Sequence, residues 1–273
     1  MKSYLKKIKI AVLMILVIAI VGSVLPSCKH ADPGTPAAEI EEESGPRYIA
    51  HRGYSHRYFP NTEEAFRAAA GMGFYGIETD IRKTKDGYYV CNHDASVVYA
   101  DGSERKISAT NRSILTEKPL KNDQTAAEAY LCTFEAYLHA CKEGNKVAII
   151  ELKDWFVRAE ILRILEIIDA EYDREKVCFI SFIYAPLRLV REEDPSIELQ
   201  YLSQPENDSC FANCIEDGIN VSVRTTILTE ALVKTIHDAG LKVGVWTVNT
   251  AVDLEVSLRL GVDYITSDVY SGE

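Results

Sequence analysis

The sequence predicts an α/β protein: one (β/α)8 TIM barrel over residues 47–273, with a small insertion after its second strand. Two observations carry that prediction. Short runs rich in β-branched and aromatic residues alternate with longer amphipathic stretches, the pattern of parallel strands joined by crossover helices. The region holds 227 residues, the usual size of one such barrel. A doubly wound open sheet is the main competitor, because hydrophobic periodicity does not tell a closed sheet from an open one.

In chain order the predicted barrel strands are Arg47–His51, Gly76–Arg82, Lys146–Lys153, Val177–Phe182, Ile197–Leu202, Ile219–Val223, Lys242–Val248 and Tyr264–Thr266. The amphipathic stretches between them are Thr62–Met72, Ala126–Lys142, Phe156–Ala170, Tyr184–Glu193, Phe211–Asp217, Leu228–Ala239 and Val252–Leu260. Gly240 and Gly261 follow two of these, where a helix C-terminus favours glycine. Tyr88–His93 reads as an extra strand, turned back on the second by Asp86-Gly87. Ala95–Gln124 is polar and aperiodic, and is expected to form an insertion over one end of the barrel.

The N-terminus carries Lys2, Lys6, Lys7 and Lys9, then an unbroken apolar run of 12 residues from Ile10 to Val21. That run is short for a membrane span, which needs roughly 20 residues, and suits a signal peptide over residues 1–27. Leu25-Pro26-Ser27-Cys28 resembles the lipobox of bacterial lipoproteins, which implies cleavage before Cys28 and lipidation of its thiol. Residues 28–46 are rich in Pro, Gly, Ala and Glu without apolar periodicity, and read as the tether of a lipid-anchored, extracytoplasmic domain. Removing residues 1–27 leaves 26 basic against 41 acidic residues, a net charge of −15. Such a chain offers no electrostatic footprint for a nucleic-acid partner. Cys91, Cys132, Cys141 and Cys178 lie in apolar stretches and read as buried thiols, so that Cys210 and Cys214 are the one pair to test for a disulfide. No CxxC is present, which argues against thiolate zinc.

Chemistry-bearing residues gather at strand ends, where barrels of this class hold their active sites. His51-Arg52-Gly53 closes the first strand, Glu78-Thr79-Asp80 lies late in the second, Asn92-His93-Asp94 ends the extra strand and Glu151-Leu152-Lys153 ends the third. Residues two apart on a strand share a face, so Glu78 projects with Asp80 and Glu151 with Lys153. Three carboxylates meeting at one mouth repel unless a cation sits among them, and hard oxygen donors favour Mg²⁺ or Ca²⁺. Arg52 and Lys153 beside that cation suit an anionic oxyacid, phosphate first. His51 and His93 supply a proton acceptor and donor near neutral pH. A paired-carboxylate glycosidase site is the rival reading of Glu78 with Glu151. Asp268 reads as a turn cap at the last strand end, and His56 sits near the site without an assigned role.

The ordered series Tyr48-Ile49-Ala50-His51-Arg52-Gly53, Asn61-Thr62-Glu63-Glu64-Ala65-Phe66, Gly76-Ile77-Glu78-Thr79-Asp80-Ile81, Thr84-Lys85-Asp86-Gly87 and His93-Asp94 resembles the glycerophosphodiester phosphodiesterase family. The likeness continues through Ile150-Glu151-Leu152-Lys153, Ser181-Phe182, Val245-Trp246-Thr247-Val248-Asn249 and Gly261-Val262-Asp263-Tyr264-Ile265-Thr266-Ser267-Asp268. It implies metal-dependent hydrolysis of glycerophosphodiesters to sn-glycerol 3-phosphate and an alcohol. It further implies Glu78, Asp80 and Glu151 as metal ligands, His51 and His93 as the acid/base pair, Arg52 and Lys153 as phosphate ligands, and Trp246 beside the glycerol. One departure stands out. The family usually has Pro-Glu-Asn-Thr where this chain has Phe59-Pro60-Asn61-Thr62, so an acidic residue is absent and the head-group preference is open. A sphingomyelinase D-like or lysophospholipase D-like enzyme, or a glycerophosphate-binding lipoprotein without turnover, are the alternatives.

Overall fold

A computed structural model describes residues 45–205 and 208–269. Among them, eight parallel strands close into a barrel. They are β1 (Arg47–Ala50), β2 (Gly76–Lys83), β7 (Val147–Leu152), β8 (Val177–Ser181), β9 (Glu198–Ser203), β10 (Asn220–Arg224), β11 (Val243–Trp246) and β12 (Tyr264–Ser267). β1 pairs with both β12 and β2, and this closure excludes the open doubly wound sheet. Two short antiparallel strands extend the upper half of β2: β3 (Tyr89–Cys91), then β6 (Cys132–Thr133).

Strand alternation divides the apolar residues into two populations. Ile49, Ile149, Cys178, Ile180, Leu202 and Tyr264 fill the barrel. Ile77, Ile81, Ala148, Ile150, Phe179 and Val245 face outward beneath the helices. The crossovers are α1 (Glu63–Ala70), α3 (Phe134–Glu143), α4 (Arg158–Glu171), α5 (Tyr184–Glu193), α6 (Cys210–Asp217), α7 (Glu230–Asp238) and α8 (Ala251–Leu260). Threonines start four of them: Thr62, Thr133, Thr229 and Thr250 each accept a hydrogen bond from the backbone N–H three residues on. Gly240 and Gly261 sit past helix ends with φ of 75° and 71°, as their positions in the sequence require.

One sequence expectation needs correction, and the insertion carries structure that the sequence did not show. The helix expected from Ala126 begins at Phe134, because Cys132 and Thr133 join the sheet and Thr133 is the cap. The insertion 95–124 is not an unstructured loop. It contains the hairpin β4 (Ser96–Val98) with β5 (Glu104–Lys106) and the short helix α2 (Arg112–Leu115). Val97, Tyr99, Ile107, Leu115 and Leu120 form its own small core with Val90, Ala129 and Leu131. These side chains come from several short segments separated by turns, so no continuous period marks them in the sequence.

The thiols of Cys91, Cys132, Cys141 and Cys178 are buried and free, as expected; Cys210 and Cys214 lie one helical turn apart on α6 and are also free. The signal peptide, the tether and Cys28 lie outside the described residues. No helix among the described residues is long and apolar enough to cross a membrane.

Candidate active site

The chain leaves β1 through a tight corner. Arg52 adopts φ 57° and Gly53 φ 80°, and a Cβ on Gly53 would lie 2.6 Å from the carbonyl carbon of Ala65. Only glycine fits so close to α1. The corner turns the Arg52 N–H onto Glu78 Oε2 at 2.8 Å and brings Arg52 Nε within 3.2 Å of Asp80 Oδ2. Asn61, also at positive φ (59°), donates from Nδ2 to Asp80 Oδ2 at 2.8 Å. Its Oδ1 accepts from Thr79 Oγ1 and the Asp80 N–H. One short side chain thus fixes a strand and the carboxylate that strand carries.

Glu78, Asp80 and Glu151 are all buried, and one carboxylate oxygen from each lies within 4.8 Å of the others. Asp80 pairs in register with Glu151 across β2 and β7, which explains the convergence. Lys153 Nζ lies 2.9 Å from Glu151 and 3.4 Å from Asp80 Oδ1, an oxygen with no hydrogen-bond partner. Burial, then Asp80 and Glu151, push the Glu78 carboxyl well above its ordinary range. Burial and Asp80 raise Glu151 to about 7 despite Lys153. Burial acts the same way on Asp80, but Arg52, Lys153 and Asn61 outweigh it and hold that carboxyl low. Repelling buried carboxylates with an unpartnered oxygen fit a divalent cation with hard oxygen ligands.

His51 and His93 stand on the same cleft. His51 Nδ1 lies 2.7 Å from Asp268 Oδ1, which also accepts from Ser55 Oγ at 2.8 Å, while Asn249 Nδ2 donates to the other oxygen. Burial alone would raise Asp268, but His51 and these donors hold it at about 2. His93 Nδ1 lies 2.8 Å from Asp94, and Arg82 grips the His93 carbonyl while pairing with Asp154. Burial and the nearby Arg52 lower the proton affinity of His93.

The cleft, about 110 Å³, brings together His51, Arg52, Glu78, His93, Glu151, Lys153 and Trp246, with Asp80 buried behind them. Trp246 lies at the rim as well as in the packing, edge-on to Phe182 with ring centres 5.4 Å apart and Nε1 donating to the Ser222 carbonyl. Sequence reasoning missed Asp268, read as a turn cap, and the roles of Asn61, Ser55 and Asn249. Barrel closure was the available signal for Asp268: with β12 beside β1, a residue just past Ser267 must neighbour His51.

The Glycerophosphoryl diester phosphodiesterase family matches residues 51–271. A glycerophosphodiester phosphodiesterase of Bacillus altitudinis is 27% identical over 239 residues, covering 81% of this chain and 94% of that protein. One from Caldanaerobacter subterraneus is 26% identical, covering 81% and 93%. Among solved structures, a glycerophosphodiester phosphodiesterase from Parabacteroides distasonis is similar with a TM-score of 0.70 and 25% identity, over 82% of this chain and 93% of that one. An Oleispira antarctica phosphodiesterase, solved in complex with the product sn-glycerol-3-phosphate, has a TM-score of 0.72 at 22% identity over 82% and 93%. With the barrel closed and the expected residues gathered at one mouth, the chain belongs to the glycerophosphoryl diester phosphodiesterase family and is a phosphoric diester hydrolase.

Proposed function

We propose that this enzyme hydrolyses glycerophosphodiesters to sn-glycerol 3-phosphate and an alcohol with the help of one Mg²⁺ or Ca²⁺, while tethered to the outer side of a membrane through Cys28. The observation that carries the catalytic part is the meeting of Glu78, Asp80 and Glu151 within 4.8 Å of one another, with Arg52, Lys153 and both histidines on one cleft. The product held by the Oleispira antarctica structure supports the choice of substrate.

Glu78, Asp80 and Glu151 would hold the ion. When bound, it would supply Lewis-acid polarisation of a phosphoryl oxygen. Arg52 and Lys153 bind the anionic phosphodiester and keep their charge next to it through the reaction. His93, with lowered proton affinity, is neutral near pH 7 and accepts the proton of the attacking oxygen. Asp268 holds the Nδ1–H of His51, leaving Nε2 to deliver a proton to the departing alcohol. Trp246 and Phe182 form an apolar wall for the glycerol carbons.

The test is product release across glycerophosphocholine, glycerophosphoglycerol, glycerophosphoinositol, lysophosphatidylcholine and sphingomyelin. Release of sn-glycerol 3-phosphate from the deacylated diesters alone supports the reading. Preferential cleavage of the lipids would move it to a lipid-directed phosphodiesterase, and binding without release to a binding lipoprotein. The lysine-rich N-terminus, the apolar run Ile10–Val21 and the Leu25-Pro26-Ser27-Cys28 after it support the tether. Cys28→Ala should shift the protein from the membrane fraction to the soluble one; unchanged fractionation would remove the anchor.

A further inference from the structure

A second cavity, about 460 Å³, opens beside the first and is lined by Ser55, His56, Pro60, Gln124, Asn249 and Asp268. Among the described residues, His51 and Arg52 alone line both cavities. A phosphodiester has two arms joined at phosphorus, and the two residues at the junction are a phosphate ligand, Arg52, and the imidazole assigned to protonate the departing alcohol, His51. We infer that the scissile phosphorus sits at that junction with the departing alcohol in this outer cavity, where His56 and Gln124 select hydroxyl-rich alcohols over a quaternary ammonium head group. This deepens the proposed function and rests on it.

Confinement assigns the arms. The inner cleft runs into the barrel and ends on the side chains of Ile49, Ile149, Gln200 and Ser222, so it takes the arm of fixed size, glycerol. The outer cavity is more open and takes the arm that varies.

Lining chemistry assigns the class. A trimethylammonium group is recognised by aromatic faces and carboxylates. Among the described residues, the outer cavity has no Phe, Tyr or Trp on its lining, and it has Arg52 and His56 on its walls. The one carboxylate among its described lining residues, Asp268, is taken up by His51, Ser55 and Asn249. Two polar groups remain free to bind. The exposed His56 imidazole makes no hydrogen bond or ion pair among the described residues, only a tilted contact with the Tyr54 ring at 6.3 Å. Gln124 is anchored by Nε2 donating to the Ser55 carbonyl at 2.6 Å, which leaves its Oε1 as an acceptor. Hydroxyl groups, which both donate and accept, suit this pair. Gln124 closes the insertion 95–124, so that segment reaches the site through this side chain. Pro60 stands on the same wall where a carboxylate would instead attract a cation.

The experiment compares kcat/KM for glycerophosphoinositol and glycerophosphocholine in the wild type, His56→Ala, Gln124→Ala and Pro60→Glu. The wild type should favour the inositol ester by about tenfold or more, the scale of one or two selective hydrogen bonds. His56→Ala and Gln124→Ala should each lower that ratio several-fold, and Pro60→Glu should move it toward choline. An equal or inverted wild-type ratio, or a ratio that none of the three variants moves while both esters are hydrolysed, overturns this inference and leaves the proposed function standing. Failure to release sn-glycerol 3-phosphate from either ester overturns both. His56 is exposed, so its variant folds independently of any role for the Gln124 hydrogen bond.

Discussion

His51 Nδ1 lies 2.7 Å from Asp268 Oδ1, joining the end of the first barrel strand to the end of the last. The contact exists only because the barrel closes: β12 runs beside β1, and Ser267 pairs with Ala50 immediately below the two residues. Ser55 and Asn249 complete the carboxylate's coordination, so the imidazole is held in one orientation.

Asp268→Asn should therefore cost more turnover than stability. An amide at this position presents a donor where a carboxylate accepted, and favours the tautomer with the wrong nitrogen toward the substrate. A kcat loss of about 10²-fold or more is expected, with an altered pH–rate profile and a thermal midpoint close to wild type. A purely structural role would move the midpoint and leave the profile unchanged.

The same pair sets an acid limit. Asp268 is held at about 2 against an ordinary value near 3.8, so its contribution to stability is complete above pH 4 and lost as pH falls toward 2. Chemical denaturation at pH 5 and pH 2.5 should show that decline in the wild type and a shallower one in Asp268→Asn.

The carboxylate cluster has the opposite sign. Glu78 is raised well above the ordinary value and Glu151 to about 7, so between about pH 4.5 and 7 the folded metal-free protein binds more protons than the unfolded chain. Its stability should fall as pH rises through that window. Saturating Mg²⁺ or Ca²⁺ should flatten the slope and release protons on binding, since the ion needs the ionised carboxylates. Calorimetric titration at pH 6 in two buffers of different ionisation enthalpy measures the release; identical heats in both would contradict it.

Asn61 tests how Asp80 is held. Asn61→Ala removes the donor to a fully buried carboxylate and the acceptor for Thr79 and the Asp80 N–H. A loss of about 1–3 kcal/mol is expected in urea unfolding, with weakened divalent-ion affinity. The positive φ at this position adds to the cost, since alanine is disfavoured there.

His51→Ala and His93→Ala should each lower kcat by about 10²–10⁴-fold while leaving the fold and ion binding intact. Wild-type turnover in either variant would remove that residue from the proposed acid/base pair.

The alternation of strands and helices and the positions of Glu78, Asp80, Glu151, Lys153 and both histidines were legible because each depends on local pattern: period two along a strand, and charge at its end. Asp268 was not, since its meaning comes from a strand 217 residues away in sequence meeting the first. Asn61 was visible as part of a segment resembling the family but without a role, while its grip on Asp80 depends on a left-handed backbone that sequence periodicity does not report. The internal structure of the insertion was not legible because its small core is assembled from scattered residues such as Tyr99, Leu115 and Leu131.

On the proposed mechanism, one divalent ion held by Glu78, Asp80 and Glu151 drives release of sn-glycerol 3-phosphate. Activity of chelator-stripped enzyme, titrated with Mg²⁺ or Ca²⁺ on a glycerophosphodiester, tests it most directly. Turnover that is absent without the ion and saturates at one ion per chain is the predicted result; full turnover in excess chelator would contradict it.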